Sequence, residues 1–436
     1  MSTTETPIRT LSVALIGVSH RAIRICTEVP DALAGSWRVR ALWDIDPLRF
    51  EAFRQACPGH DARTYLGREA LRGMLDQERP DLAFIATRDG NHAEAIIACL
   101  DASIPVVVEK PMVISGEQAR AVLAAEARST ARVQVAFNYR YTAVHQAIRD
   151  HLRSGLIGRI TAVEMSIYTD EIHGSSYFQR WNRRRSESGG LTIHKEGHYL
   201  DLLGWWLAQR PVEAFGSSAL NYFGPDSEHN PARVDGRHCS TCSDAQACAY
   251  QRARARKDPS DTHATGVQGI HLGSRHHNTQ WYSGYRPDAC IFDSEIDIED
   301  TYAAVIRYNG GTMATFSVNF SSPFEQYRVV FNGTRGRLEY GYAFGREGSY
   351  ARDGRALVHY PLFGQEPRVI PVRNHPGGHG GGDPAMLADL CSGLDAHDRR
   401  ASSRDGAYAV ALGEALWRSP QEGRPIRIAD LLGEWA

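Results

Sequence analysis

No apolar run in this chain approaches the ~20 residues that a membrane-spanning helix needs, so none of its 436 residues reads as a transmembrane segment. There is no excess of one charge either. The formal net charge is −2, which supplies no field to draw in nucleic acid or an anionic membrane. The opening residues, Met1-Ser2-Thr3-Thr4-Glu5-Thr6, carry neither the basic nor the apolar segment of a signal peptide. Internal repeats are absent, which excludes solenoids and propellers. These absences lead us to expect a cytoplasmic protein that acts on small molecules.

What is present is the composition of an ordinary globular protein, 42% hydrophobic and 23% charged. The length exceeds what one core supports and calls for roughly two to three domains. Residues 11–112 alternate strand and helix signals: apolar runs end at Gly17, Asp44, Ala86 and Glu109, with helical spacing between them. That alternation predicts a doubly wound parallel sheet of Rossmann type. From about residue 139 the pattern changes. Runs such as Ile160–Ile167, and Tyr302–Tyr308 with Thr312–Val318 across Asn309-Gly310-Gly311, alternate apolar and polar residues. They predict an α+β half built on a large, mainly antiparallel sheet. The expected domains are residues 8–138 and 139–436, the second carrying an irregular, His- and Arg-rich insertion at about 222–290.

The densest chemistry follows the run Ile104-Pro105-Val106-Val107-Val108, where the chain reads Glu109-Lys110-Pro111. Fully buried lysines are rare unless paired, and a desolvated ammonium loses pKa readily. In an open parallel sheet the carboxyl ends of the strands are also where ligands bind. Lys110 is therefore a candidate catalytic residue. Gly17-Val18-Ser19-His20-Arg21-Ala22 occupies the place of a dinucleotide turn, with Ser19 where the middle glycine usually stands. Backbone N–H groups of this helix start, around Gly17, Ser19 and His20, can still hold a pyrophosphate. Asp44 ends the second strand, where an acid accepts from the adenosine ribose and repels a 2′-phosphate. It favours NAD over NADP; its other reading is a helix cap. Thr87-Arg88-Asp89-Gly90-Asn91-His92 ends the third apolar run and by itself reads as a polar loop.

A second dense stretch runs from Gly189-Gly190 through His194-Lys195-Glu196-Gly197-His198 to Asp201. One helix over roughly 193–208 would align His194, His198 and Asp201 on a single face. The pair could share a metal ion, supply a general base near working pH, or sit on a surface helix. Cys239-Ser240-Thr241-Cys242, with Cys248 and Cys290, has the makings of a structural four-thiolate zinc site. Free thiols tying down the insertion are the equal alternative, and an iron–sulfur cluster the third. The other cysteines, Cys26, Cys57, Cys99 and Cys391, read as buried packing residues. Gly377-Gly378-His379-Gly380-Gly381-Gly382-Asp383-Pro384 is a glycine-rich loop that either turns the chain or brings His379 close to a ligand.

The order of these signals, with Asn138-Tyr139-Arg140-Tyr141 and Gly-His-x-x-Asp, resembles the Gfo/Idh/MocA oxidoreductase family over nearly the whole chain. The resemblance implies NAD held by Gly17, Ser19, His20 and Asp44 with help from Thr87 and His92. It implies Glu109 fixing the loop, a Lys110-Pro111 bond that is a candidate for cis, and Lys110 and His198 flanking the nicotinamide and the reacting carbon. Arg140 and Trp181 would line the pocket of a sugar or cyclitol, with Lys195 and His379 as further substrate candidates and His194 as a further catalytic one. A homodimer or homotetramer is implied in the same way. The chain departs from the family at Arg88-Asp89, where Pro-Asn is usual, and at His194, where many members carry an aspartate. The leading expectation is an NAD-dependent sugar or polyol dehydrogenase. The alternative is a redox glycosidase that oxidises the sugar transiently, eliminates the aglycone and returns the hydride.

Overall fold

The computed structural model describes residues 10–29, 35–257, 285–343, 356–373, 378–392 and 398–436. The chain divides into two compact units. The first takes Met1–Val113, Gln118–Gln146 and Asn374–Ala407; the second takes Ile114–Glu117, Ala147–Arg373 and Tyr408–Ala436. The return of a late segment, residues 374–407, to the first unit is something no local sequence signal announces.

The first unit is a Rossmann-like parallel sheet. Its strands are β1 (Leu11–Ile16), β2 (Trp37–Asp44), β3 (Arg63–Leu66), β4 (Leu82–Ile85), β5 (Val106–Val108), β6 (Val133–Val135) and β15 (Ala401–Ser402). They lie in the order β15-β6-β5-β4-β1-β2-β3, and only β15 is antiparallel to its neighbour. Helices α1 (His20–Thr27), α2 (Leu48–Ala56), α3 (Ala70–Glu78) and α4 (His92–Asp101) alternate with the strands, and α12 (Gly382–Ser392) follows the glycine-rich loop. Val13, Ala14, Leu15 and Ile16 of β1, Phe84 and Ile85 of β4, and Val108 of β5 are fully buried. Strands covered on both faces read as continuous apolar runs, which is why this half was legible. The order reverses between β1 and β4, so the carboxyl ends of those two strands form the switch-point crevice of the sheet.

Three helices carry the chain between the units: α5 (Gly116–Ala127), α6 (Ala143–Arg153) and α13 (Ser403–Glu422). The second unit is built on a nine-stranded sheet. Its strands are β7 (Ile160–Asp170), β8 (Pro211–Ala219), β9 (Thr301–Tyr308), β10 (Met313–Ser322), β11 (Gln326–Gly333), β12 (Gly336–Ala343), β13 (Ala356–Pro361), β14 (Arg368–Ile370) and β16 (Ile426–Arg427). The order is β14-β13-β12-β11-β7-β10-β9-β8-β16. Only β7 and β10 pair in parallel, so the sheet is mainly antiparallel, with β9 and β10 forming the expected hairpin. Helices α7 (Glu171–Gln179), α8 (Arg185–Ser188), α9 (Leu191–His194) and α10 (Gly197–Leu207) follow β7, and α14 (Ile428–Leu432) comes near the end. Phe215 and Val305 are cross-strand partners and, like Met313, lie about half exposed.

The insertion is irregular where it is described. It holds a 3-10 turn at Cys239–Thr241, helix α11 (Ala249–Lys257) and one isolated bridge between His238 and Ala289; residues 258–284 lie outside the described residues. Its start is anchored by Asp300, which is fully buried and accepts from the backbone N–H groups of Asn221, Tyr222 and Phe223 at 2.7–3.1 Å. Phe223 then stacks on Phe178 with ring centroids 4.0 Å apart. Among the described residues no helix is long and apolar enough to cross a membrane. Asp300→Ala would strand three backbone donors, and charge-assisted bonds of this kind are worth about 1.5–3 kcal/mol each before relaxation. We expect a loss of at least about 2 kcal/mol in urea unfolding, with Phe223 exposed early to proteolysis of the insertion.

Candidate active site

In the first unit the site residues gather at the carboxyl edge of the sheet. Gly17 leaves β1 with φ +82, and a Cβ there would stand 2.7 Å from the Thr87 backbone nitrogen, so only glycine lets the β1 and β4 ends close together. Ser19 is the cap of α1: its Oγ accepts from the Ala22 N–H at 3.3 Å. The residue that spoils the glycine pattern therefore serves the helix start. The remaining first-turn N–H groups are the ones an anion takes at a helix N-terminus. Asp44 closes the turn from the other side, accepting from Val18 N–H at 2.7 Å and Asp46 N–H at 3.0 Å. Burial raises its pKa, against the pull of Arg49 and these bonds. It does not cap α2, whose first flanking residue is Pro47. A close-approach glycine, a capped helix start and an acid after β2 together fit a dinucleotide.

His92 sits at the first position of α4, 1% exposed. Its Nδ1 lies 2.8 Å from the Pro111 carbonyl and its Nε2 3.2 Å from the Thr87 carbonyl. The ring thus lies between the two strand ends that flank the crevice, and whichever nitrogen carries the proton donates to one of these carbonyls. Glu109 Oε1 accepts from Arg21 Nε at 2.6 Å and Oε2 from the Lys110 N–H at 3.3 Å, which fixes the loop. The Lys110-Pro111 bond is cis.

Asp89 is the residue that sequence reasoning undervalued. It is 4% exposed, and burial pushes its carboxyl up to about 7, against the attraction of His92 and Lys110 and with the repulsion of Glu109. The available signal was the acid standing where the family usually has asparagine. Asp383 was also passed over, although His379 beside it was singled out. Its carboxylate collects Arg21, Asn138 and His379. Arg140, expected to face substrate, is 3% exposed and pairs with Asp405 at 3.4 Å and the Arg400 carbonyl at 3.4 Å. It is part of the fabric of its own unit.

In the second unit the diglycine explains itself first. Gly189 (φ +73) would drive a Cβ to within 2.7 Å of the Ile114 carbonyl. The single helix expected over 193–208 is two: α9 ends at His194, and α10 starts at Gly197 after a turn at Lys195-Glu196. His194 and His198 therefore do not share one helical face. His198 opens α10 at 4% exposure, with Asp201 also buried. His194 is enclosed by Tyr177 and Trp181, with ring centroids at 5.7 and 5.5 Å, and Asn182 Nδ2 lies 3.0 Å from its Nε2. Tyr177 continues the cluster to His173 (3.2 Å), which pairs with Glu325 at 2.7 Å. None of Tyr177, Asn182, His173 and Glu325 carries a sequence motif. Lys195 is half-buried in the turn.

The zinc expectation is not supported. Among the described residues no group of three or more His, Cys, Asp or Glu side chains is arranged to hold a metal ion, and the break between α9 and α10 takes His194 and His198 off the single face that the paired-histidine reading needed. Cys239, Cys242, Cys248 and Cys290 are free thiols lining one small pocket with Tyr250, Ile291 and Phe292. Burial pushes Cys239 up to about 12 and Cys290 to about 11, and Cys239 Sγ accepts from Gln179 Nε2 at 3.3 Å.

Comparison with known proteins agrees with this geometry. Residues 11–137 match a sequence model described as the NAD-binding Rossmann fold of the GFO_IDH_MocA oxidoreductase family, and residues 149–428 match that family's C-terminal alpha/beta domain. The protein YteT of Bacillus subtilis (strain 168), described as an oxidoreductase, is 40% identical over 426 residues, covering 96% of this chain and 98% of its own. D-apiose dehydrogenase of Paraburkholderia graminis is 26% identical over 262 residues, 59% of this chain and 65% of its own. A solved levoglucosan dehydrogenase in complex with NADH superposes with a TM-score of 0.65 at 16% identity, covering 96% of this chain and 99% of its own. The chain belongs to the Gfo/Idh/MocA oxidoreductase family.

Asp89 also yields a pH dependence. An acid whose folded pKa is raised binds more protons folded than unfolded, so its effect on stability worsens as pH rises from about 4 to about 7. Asp89→Asn removes that burden. Its urea midpoint should exceed the wild-type midpoint by more at pH 8 than at pH 5, and equal differences at both would refute the assignment.

Proposed function

We propose that this member of the Gfo/Idh/MocA oxidoreductase family is an NAD-dependent dehydrogenase of a secondary alcohol in a sugar, cyclitol or related polyol. The observation that carries the reading is Lys110 at the carboxyl end of β5, with Glu109 held beside it and a dinucleotide-type turn at the switch point of the same sheet. Bound NAD supplies the hydride acceptor. Ser19 and His20 hold its pyrophosphate through backbone N–H groups at the start of α1, Gly17, whose own N–H goes to the Trp43 carbonyl at 2.9 Å, lets the chain come close, and Asp44 takes the adenosine ribose while repelling a 2′-phosphate. His198 takes the hydroxyl proton, and the Lys110 ammonium stabilises the developing alkoxide. General acid–base help of this kind supplies typically ~10²–10⁴-fold. Trp181, with His194 and Lys195, presents an aromatic face and polar groups suited to a polyol. The relatives named for apiose and levoglucosan lend the substrate class its support. The exposed Phe215, Val305 and Met313 support self-association through the second unit's sheet.

His194 favours keeping one second reading. A histidine here, where the resemblance leads one to expect an aspartate, is an added acid–base group that in its imidazolium form can protonate a leaving aglycone. Products separate the two: a polyol or free sugar giving net NADH supports the dehydrogenase, and glycoside cleavage without net NADH supports the redox glycosidase.

The decisive experiment is an NAD-linked screen over pentoses, anhydrosugars, inositols and glycosides with product identification. Lys110→Met and His198→Ala should each lower turnover at least ~10²-fold while NADH fluorescence titration stays within a few-fold of wild type. Normal turnover in either variant would overturn its role. Asp44→Ser should narrow the preference for NAD over NADP, measured as the ratio of their kcat/KM values.

A further inference from the structure

Arg21 is an odd residue for its place. It is the second residue of α1, where the helix dipole disfavours a cation. Each nitrogen of its guanidinium donates to a carboxylate. Nε donates to Glu109 Oε1 at 2.6 Å, and the two terminal nitrogens donate in a fork to Asp383, at 2.6 Å on Oδ1 and 3.0 Å on Oδ2. Such a planar fork is the geometry arginine offers and lysine does not.

Asp383 is the more telling partner. Its side chain is 0% exposed. Besides the fork, Oδ1 accepts from Asn138 Nδ2 at 2.7 Å and Oδ2 faces His379 Nδ1 at 2.7 Å. An ionised carboxylate has about four lone-pair sites, and all four are filled. Burial raises its pKa, but the bonds from His379 and Arg21 outweigh that and hold it well below the usual carboxylate range. The donors come from α1, from the Asn138–Tyr141 turn after β6 and from the glycine-rich loop. That loop's glycines serve the same contact: a Cβ at Gly382 would stand 2.5 Å from the Asn138 carbonyl.

We propose that Asp383 is a positioning residue for Lys110. It fixes Arg21, Arg21 fixes Glu109, and Glu109 holds the Lys110 backbone, so that the charge balance of this cluster sets the protonation of the lysine. The dehydrogenase reading supplies what that lysine is for; the linkage itself is a property of the first unit. The charged and titratable groups of the surroundings are Glu109 at the strand end, Asp89 after β4, His92 on α4, Arg21 on α1, and Asp383 with His379 from the loop. Removing the Asp383 carboxylate leaves Arg21 short of a counter-charge and disfavours the ammonium. Removing Arg21 leaves two carboxylates and favours it.

The sign reversal makes the test. The pH dependence of Lys110 acetylation by acetic anhydride, read by peptide mass spectrometry on the full chain without cofactor or substrate, gives the lysine midpoint directly. In Asp383→Asn the midpoint should fall by about half a pH unit or more, and in Arg21→Gln it should rise by a similar amount. Asp383→Glu, which keeps the charge, should stay near wild type. No shift in folded variants, or shifts of the same sign, would overturn the proposal, since a merely structural role predicts no opposition. If Asp383→Asn fails to fold, a raised midpoint in Arg21→Gln with an unchanged Asp383→Glu supports it, and an unchanged Arg21→Gln overturns it. Opposed shifts in a chain inactive in the sugar screen would keep this inference and discard the dehydrogenase reading.

Discussion

One guanidinium between two carboxylates organises the first unit. Arg21 reaches from the helix that opens the dinucleotide turn to Glu109, whose other oxygen takes the Lys110 N–H, and to Asp383, which returns from the far end of the chain. Exposed ion pairs contribute little because water screens them and side-chain entropy opposes them. This one differs in kind. Asp383 is fully enclosed, its four acceptor sites are met, and losing any one donor would leave a buried polar group wanting. The cluster therefore acts as a geometric constraint: it makes the cofactor turn, the lysine loop and the late glycine-rich segment depend on one another.

The sheet provides the frame on which that constraint acts. Parallel strands place their carboxyl ends along one edge, and the reversal of order between β1 and β4 opens a crevice there. Gly17, Thr87, Asp44, Glu109 and Lys110 all follow strands on that edge. His92 adds the second layer, with each ring nitrogen on a carbonyl of a different strand end. Little freedom remains for the lysine loop once the Glu109 and His92 contacts are made.

How much of this was legible depended on whether the signal was local. Apolar runs buried on both faces announced β1, β4 and β5, and the lysine at the end of β5 was visible for the same reason. Ser19 was legible as a break in the glycine pattern, but its capping role needed the Ala22 N–H in view. Asp383 was hidden because two of its partners, Arg21 and Asn138, lie hundreds of residues away in sequence, and a Gly-rich stretch reads only as a turn. The error over 193–208 has a physical cause as well. The apolar spacing runs on through Lys195-Glu196, while the backbone turns there and starts a new helix at Gly197, so periodicity alone could not show the break. The four cysteines failed differently: spacing suggested thiolate ligands, and burial among apolar neighbours holds the Cys239 and Cys290 thiols well above their ordinary pKa.

Asp89 joins these strands of the argument. Around Lys110 the first unit sets carboxylates at 89, 109 and 383 against the guanidinium of Arg21 and the imidazole of His92. Two of the carboxylates are committed to Arg21 by short hydrogen bonds, so their charge is spoken for. Asp89 is the one whose ionisation is finely balanced, because burial opposes it and Lys110 and His92 favour it. A neutral amide at this position would leave the lysine with a fixed environment. An acid whose burial is balanced against Lys110 and His92 instead responds to any change in the charge beside it. Asp89 thus lies where the charge balance beside the lysine is decided.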